Sequence, residues 1–373
     1  MGGVLSGCVA GPQVPWVLAP PVSDNSGGFY ADTPSTPRPW QTVPPPVLPP
    51  RANNPPVQQP PVTYQRGLYG DYANYPAMRQ FIGKMNRQHG FDLAFLEQTF
   101  SGVQRDTEAL RKAGAPTEGQ VWRAYSSIFL TEERIRGGVD FWNQNAALID
   151  SVARQSGVDP EYIVAIIGVE TQYGRNTGAH NVLRALTTLG FDFPRRADFY
   201  QKELENFLLM AREERVQPQI FRGSYAGAMG LGQFMPSSYR HYGVDGNRDG
   251  KRDLWNPQDA IPSVANYLAK HGWQRGGTVA VPAVLVGGGY ASIAETSMKK
   301  PSRTLGDLAA VGVRPAGAIN SARVSLIRLT GTIDEYWIGG ENFYVIGRYN
   351  PSVKYAMSVH QLAQVVRQRR FGF

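Results

Sequence analysis

The stretch Asp159-Pro160-Glu161-Tyr162-Ile163-Val164-Ala165-Ile166-Ile167-Gly168-Val169-Glu170-Thr171-Gln172-Tyr173-Gly174 decides how the rest of the chain is read. Asp followed by Pro and Glu is a helix start: Asp caps, Pro fits the first turn, and Glu suits the positive end of the dipole. Ile163, Val164, Ile166, Ile167 and Val169 are apolar on nearly every face, which predicts a helix buried on all sides. Glu170 sits near its C-terminal end. Desolvation and the negative end of the dipole both disfavour a charged carboxylate there, so the group should hold a proton near neutral pH and be able to donate it. Glutamate is almost never fully buried without a reason. The competing reading leaves Glu170 on a solvated face or paired with Arg175.

Around this helix the pattern is mostly helical. Met78, Phe81, Ile82 and Met85 recur at helical spacing up to Gly90, and residues 122–130 and 135–152 continue the period, with Thr131 as a cap and Gly157 as a stop. Further helices are expected near residues 182–189, 195–212, 257–271 and 352–367. Strand-like alternation appears late, at 278–286, 324–329 and 336–346, where Gly339-Gly340 reads as a hairpin turn. The class is α+β and helix-rich, with a small sheet component.

The 373 residues contain a single cysteine, Cys8, so a disulfide scaffold is excluded. The longest apolar runs, such as 279–286, are strand-sized and well short of the roughly 18 residues of a membrane span. A formal charge of +8 favours an anionic partner. Apart from the short Arg367, Arg369, Arg370 tail there is no basic run with interleaved aromatics, which argues against nucleic acid.

The first sixty or so residues are rich in Pro among Ser, Asn, Gln and Gly, and should form an extended tether reaching about 3.1 Å per residue. At its far end Leu5-Ser6-Gly7-Cys8 resembles the bacterial lipobox, in which the cysteine becomes a lipidated N-terminus. Residues 1–4 are too short for the charged and apolar regions of a signal peptide.

Two more segments carry chemistry. Gly223-Ser224-Tyr225-Ala226-Gly227-Ala228-Met229-Gly230-Leu231-Gly232-Gln233-Phe234-Met235-Pro236-Ser237-Ser238 lacks the spacing of a phosphate loop. Its close-approach backbone, with Ser224 and Gln233 among small and apolar residues, suits a groove for a polar polymer; the alternative is tight helix packing through Gly and Ala. In Asp245-Gly246-Asn247-Arg248-Asp249-Gly250-Lys251-Arg252-Asp253-Leu254-Trp255-Asn256, oxygen ligands at Asp245, Asn247, Asp249 and Asp253, the Lys251 carbonyl and the turn at Gly250 reproduce the front of an EF-hand. The twelfth position is Asn256, so the bidentate carboxylate is missing. The expectation is an EF-hand-shaped loop holding Ca²⁺ weakly, against an Asx-rich turn held by its own hydrogen bonds. The five histidines have no zinc-ligand spacing.

Residues 169–174 and 224–238, together with Asn342-Phe343-Tyr344-Val345-Ile346 and Arg348-Tyr349-Asn350, resemble the membrane-bound lytic murein transglycosylase B family, over about residues 75–367. The resemblance implies a lysozyme-like core with an additional helical region and a small β subdomain. It implies cleavage of the N-acetylmuramic acid to N-acetylglucosamine β-1,4 bond of peptidoglycan with 1,6-anhydro ends, and Glu170 as sole catalytic acid/base. Ser224 and Gln233 would then contact the N-acetyl group, while Tyr125, Arg195, Arg196, Tyr267 and Tyr344 would line the groove. No catalytic cofactor is implied, only a structural Ca²⁺. Gly347 departs from the Thr usual in the family between Ile346 and Arg348. The implied organisation is a lipobox at 1–8, a tether at 9–72 and a catalytic domain at 73–373. That domain divides into a helical region at about 73–150, a core at about 151–273, and a β region with C-terminal helix at about 274–373. Partners would be glycan strands and cell-wall synthesis or divisome proteins, with the protein lipid-anchored through Cys8 on the periplasmic face of the outer membrane. Two rivals remain: a lysozyme-type hydrolase using Asp192 or Asp198 as second carboxylate, about 5 to 9.5 Å from the first, and a tethered wall-binding module that does not cut.

Overall fold

The computed structural model describes residues 67–115 and 120–372; the proline-rich segment and Cys8 lie outside the described residues. Six helices come first: α1 (Pro76–His89), α2 (Leu93–Ser101), α3 (Thr107–Gly114), α4 (Trp122–Ser126), α5 (Glu132–Gln144) and α6 (Ala146–Ser156). Residues 135–152, read as one periodic run, are two helices that meet at Asn145. Its amide side chain donates to the Phe141 carbonyl at 2.9 Å, and the chain turns there.

The decisive helix, α7 (Pro160–Thr171), is buried at every residue from Glu161 onward. Asp159 does not cap it with its side chain as the sequence suggests. The carboxylate accepts instead from the Trp273 indole N–H, 3.0 Å away, and so ties the start of α7 to a segment 114 residues later. A buried indole N–H needs an acceptor, whereas a helix N-terminus can find other partners.

Next come β1 (His180–Asn181), α8 (Val182–Asp192), α9 (Ala197–Glu213), β2 (Arg222–Gly223), α10 (Pro236–Tyr242) and α11 (Pro257–Lys270). The β1–β2 pair is a two-residue antiparallel contact that periodicity could not reveal. The rest is β3 (Ala280–Leu285), α12 (Leu305–Ala310), β4 (Val313–Pro315), β5 (Ser325–Leu329), β6 (Glu335–Gly339), α13 (Glu341–Tyr349) and α14 (Val353–Phe371). The late strands form one antiparallel sheet in the order β4-β3-β6-β5.

The hairpin expected at Gly339-Gly340 is not formed. The ladder ends there, with the Gly340 N–H on the Val279 carbonyl, and the chain enters α13. Asn342-Phe343-Tyr344-Val345-Ile346 has strand-forming composition, but tertiary contacts override it. Asn342 is pinned at both ends of its amide, accepting from Gln274 N at 2.8 Å and donating to the Gln274 and Gly277 carbonyls. Phe343, Ile346 and Tyr349 are buried at helical spacing.

One apolar core runs from Tyr72 to Val366, and a smaller one lies under the sheet around Leu308, Val324, Leu326 and Ile338. α14 packs along α7. The exit of α7 is shaped by three consecutive left-handed residues, Gln172, Tyr173 and Gly174, which fold the Tyr173 ring back under the helix against Phe141 of α5. Gly168 makes room for that ring: a Cβ there would lie 2.4 Å from the Tyr173 hydroxyl. The hydroxyl is buried without a hydrogen-bond partner. Gly168→Ala should therefore destabilise the protein by about 1–3 kcal/mol through overpacking. Tyr173→Phe should be neutral or stabilising, because it removes an unsatisfied polar atom. Denaturant melts of the single and double variants check both, the double expected to recover part of the Gly168→Ala loss.

Candidate active site

Glu170 comes from the last turn of α7, where core lies on every side. The Tyr355 hydroxyl, from the first turn of α14, donates to Glu170 Oε1 at 2.5 Å. Burial lifts the Glu170 carboxyl from 4.5 to about 8, and the Tyr355 hydrogen bond opposes that rise without cancelling it. No other charged group contributes to the rise. The alternative partner Arg175 is engaged elsewhere, at 2.6 Å from Glu133. Asp192 accepts from the hydroxyls of Tyr72 and Tyr75 and pairs with Arg105. Asp198 is exposed at the start of α9. With its pKa raised to about 8, Glu170 favours the protonated form at neutral pH, the state in which a carboxyl can donate a proton.

Aromatic rings gather around this carboxyl. Burial first and then the charge of Glu170 push the Tyr125, Tyr349 and Tyr355 phenols above their ordinary range, so all three lie within its electrostatic reach. Of the three, the sequence points only to Tyr125. It does not single out Tyr349 or Tyr355, although Tyr349 stands inside one of the motifs quoted above; the signal available was a pair of tyrosines flanking a helix break.

The glycine-rich segment lies against the same helix end. Thr171 Oγ1 donates to the Leu231 carbonyl at 2.9 Å and accepts from Gly174 N at 3.0 Å, and the Tyr349 hydroxyl donates to the Gly232 carbonyl. Within the segment, Met229 and Phe234 pair across a tight turn. Gly230 (φ +73°) packs so closely on the Leu254 backbone that a Cβ would lie 2.5 Å from its carbonyl oxygen. Ser224 and Gln233 are buried in this frame. Ser224 Oγ accepts from Ala228 N at 3.0 Å, and the Gln233 amide donates to the Thr177 and Gly230 carbonyls. These bonds hold both side chains in one orientation.

The other groove candidates are less closely gathered. Tyr267 is buried, with its hydroxyl on the Arg348 carbonyl at 2.5 Å and its ring edge-on to Tyr349. Arg196 is half-buried, its guanidinium 4.4 Å from the Phe199 ring centre, while Arg195 is exposed. Tyr344 is half-buried on α13, about 140° around the helix from Tyr349 at ~100° per residue.

In the loop at 245–256, Asp245, Asn247 and Asp249 accept hydrogen bonds from the loop's own N–H groups. Asp253 accepts from Trp255 N, and Asn256 caps α11 through Gln258 N. A residue that the sequence does not single out closes the loop. Asp259 is wholly buried on α11 and accepts from the N–H groups of Gly246 and Asp253 at 2.8 and 2.7 Å. Among the described residues no group of three His, Cys or carboxylate side chains converges on a metal position. A cation here would therefore need the Asn247 amide and backbone carbonyl oxygens as well. That oxygen-only set matches a hard divalent ion.

The transglycosylase SLT domain family matches residues 73–364. The membrane-bound lytic murein transglycosylase B of Escherichia coli K12 is 45% identical over 313 residues, covering 81% of this chain and 85% of the relative. Among solved structures, the catenated lytic transglycosylase SltB1 from Pseudomonas aeruginosa superposes with a TM-score of 0.77 at 45% identity, covering 80% of this chain and 100% of that one. The Escherichia coli lytic transglycosylase Slt35 in complex with calcium superposes at 0.76 and 44% identity, covering 83% and 99%.

The raised carboxyl has a consequence for stability. Below pH 4.5 Glu170 holds its proton in the folded and unfolded chain alike; as pH rises toward 8 only the folded chain keeps it, at increasing cost. Glu170→Gln removes that cost. The variant should match the parent in denaturant melts near pH 4 and exceed it by roughly 3–5 kcal/mol at pH 9, since each tenfold difference in proton affinity between the two states is worth about 1.4 kcal/mol.

Proposed function

The chain belongs to the transglycosylase SLT family and is a peptidoglycan lytic transglycosylase, and from that premise we propose that Glu170 is its single acid and base. The observation that carries this reading is a carboxyl buried among tyrosines, with a pKa of about 8 and no second carboxylate acting on it. Neutral Glu170 protonates the glycosidic oxygen following N-acetylmuramic acid. As that bond breaks, the sugar's own N-acetyl oxygen attacks the anomeric carbon, so no carboxylate nucleophile is needed. The ionised Glu170 then takes the proton of the C6 hydroxyl, whose oxygen displaces the N-acetyl oxygen and closes the 1,6-anhydro ring. The proton gained in the second step replaces the one spent in the first, and no water is consumed.

Ser224 and Gln233, fixed by their backbone contacts, orient the N-acetyl group. Tyr125, Tyr267, Tyr349 and Tyr355 form the walls that exclude water, and Arg195 and Arg196 meet the polymer further out. Tyr344 stands as an outer groove residue. The tyrosine packing favours ring closure over hydrolysis, because a water reaching the anomeric carbon would need the base that these rings shield. Asp192 is committed to Arg105 and two tyrosines, which speaks against the lysozyme-type rival.

For the loop, the reading is a structural Ca²⁺ held by the side chains of Asp245, Asn247 and Asp249 and the Lys251 carbonyl, with Asp259 bracing the loop from behind; the ion would stabilise the fold and take no part in the chemistry. Asp253 and Asn256, the remaining candidates from the EF-hand pattern, serve the turn into α11. Membrane attachment is assigned to lipid on Cys8, with the enzyme on the periplasmic face of the outer membrane and glycan strands as its partner. Contacts with wall-synthesis or divisome proteins belong to the same reading.

Glu170→Gln should leave less than about one per cent of parental turnover of purified sacculi, since general acid catalysis alone contributes 10²–10⁴-fold. Mass spectrometry of the parent's products should show anhydro ends. Reducing ends would establish the hydrolase instead, and an active Gln variant would remove Glu170 from the mechanism.

Calcium at millimolar concentration should raise the melting temperature relative to chelator, by mass action on the folded state. Asp245→Ala should abolish the difference, and turnover per folded molecule should be the same with and without the ion.

A further inference from the structure

A cavity of about 590 Å³ opens between α6, α11 and residues 243–248, separate from the residues around Glu170. One wall is Pro262, Asn266 and Lys270, three residues at four-residue spacing on one face of α11; the facing wall is Leu148, Ser151, Val152 and Gln155 of α6. The loop closes one end with Asp245, Gly246 and Arg248. This volume is in the range of small-ligand sites, and its walls mix a few apolar side chains with amide and hydroxyl groups.

The charges decide what it would take. Lys270 and Arg248 both line the cavity, and neither is in an ion pair with any described residue. The only carboxylate in the lining, Asp245, has both oxygens turned into its own loop, accepting from Asp249 N and Gly250 N. The Asn266 amide nitrogen donates one of its two N–H groups to the Tyr242 carbonyl, which fixes the side chain with its oxygen available as an acceptor for an N–H. Two uncommitted cations, amide and hydroxyl groups, and the small apolar surfaces of Leu148, Val152 and Pro262 match a short peptide with small side chains and a free carboxylate.

We propose that this cavity is a second, non-catalytic site that binds the carboxylate end of a peptidoglycan stem peptide. It rests on the assignment of peptidoglycan as substrate and extends it. α11 carries Asn266 and Lys270 toward the cavity and Tyr267 toward the aromatic residues beside Glu170, so one rigid helix would hold the peptide site at a set position relative to the glycan groove. A strand bound at both places dissociates more slowly than one bound at either.

The test uses a free stem pentapeptide, which has no sugar to occupy the groove, and its C-terminal amide. With ¹⁵N-labelled Glu170→Gln protein, the free acid should shift the amide signals of Gly246, Asn266 and Lys270. The affinity should fall at least tenfold for the amide and at least tenfold in Arg248→Gln/Lys270→Gln, in keeping with the loss of charge-assisted hydrogen bonds. In turnover assays the double variant, built on the active parent, should raise KM for peptide-bearing sacculi and leave cleavage of peptide-free glycan strands unchanged. Absence of binding, shifts confined to residues 230–233, or equal binding by acid, amide and double variant would overturn the proposal. Failure of the Glu170 assignment would appear instead as turnover by Glu170→Gln, which leaves the peptide titration untouched.

Discussion

A carboxylic acid kept out of water is the constraint on which this molecule depends. Glu170 sits at the end of a helix buried on all its faces, so its charged form is penalised by desolvation and by the helix dipole together. The Tyr355 hydroxyl satisfies one oxygen without supplying a positive charge. An arginine or lysine in that position would have produced an ordinary ionised ion pair and no acid. The surroundings are aromatic for the same reason: Tyr125, Tyr349 and Tyr355 place hydroxyls and ring faces near the carboxyl and bring no formal charge.

Holding such a group requires the helix end to be fixed, and backbone does most of that work. Thr171 joins α7 to Leu231, Tyr349 joins α13 to Gly232, and Tyr267 joins α11 to Arg348. Each bond pairs a side-chain hydroxyl with a carbonyl of another segment, so the site is a set of main-chain positions locked together. Gly230 and Gly168 allow the close approach, one against the Leu254 backbone and the other against the Tyr173 ring. Ser224 and Gln233 inherit their orientation from this frame, the Ser224 oxygen accepting from Ala228 N and the Gln233 amide nitrogen donating to two carbonyls.

Charge on the molecule is distributed in keeping with that design. No lysine or arginine contributes to the shift of Glu170, whereas Arg195 is exposed and Lys270 lines the cavity beside the 245–256 loop. The buried carboxyl and these cations thus occupy separate parts of the fold.

The sequence by itself determined the buried helix and the acid at its end. Asp159-Pro160-Glu161 marks the start and the unbroken apolar face demands burial, so the position of Glu170 followed from local chemistry and periodicity alone. The glycine-rich frame and the acidic loop were legible for the same reason, each being a property of neighbouring residues. Tertiary structure alone decided which groups meet. Tyr355 reaches Glu170 across 185 positions of sequence, and Asp159 leaves its expected capping role for an indole 114 residues away. Asp259 closes a loop whose twelfth position, Asn256, had looked like its end. Residues 342–346 become helix because Asn342 is pinned to Gln274 and Gly277, which outweighs a local preference for strand worth at most ~1 kcal/mol per residue. A sequence carries spacing along the chain but no distances through space, and buried polar groups choose partners by distance.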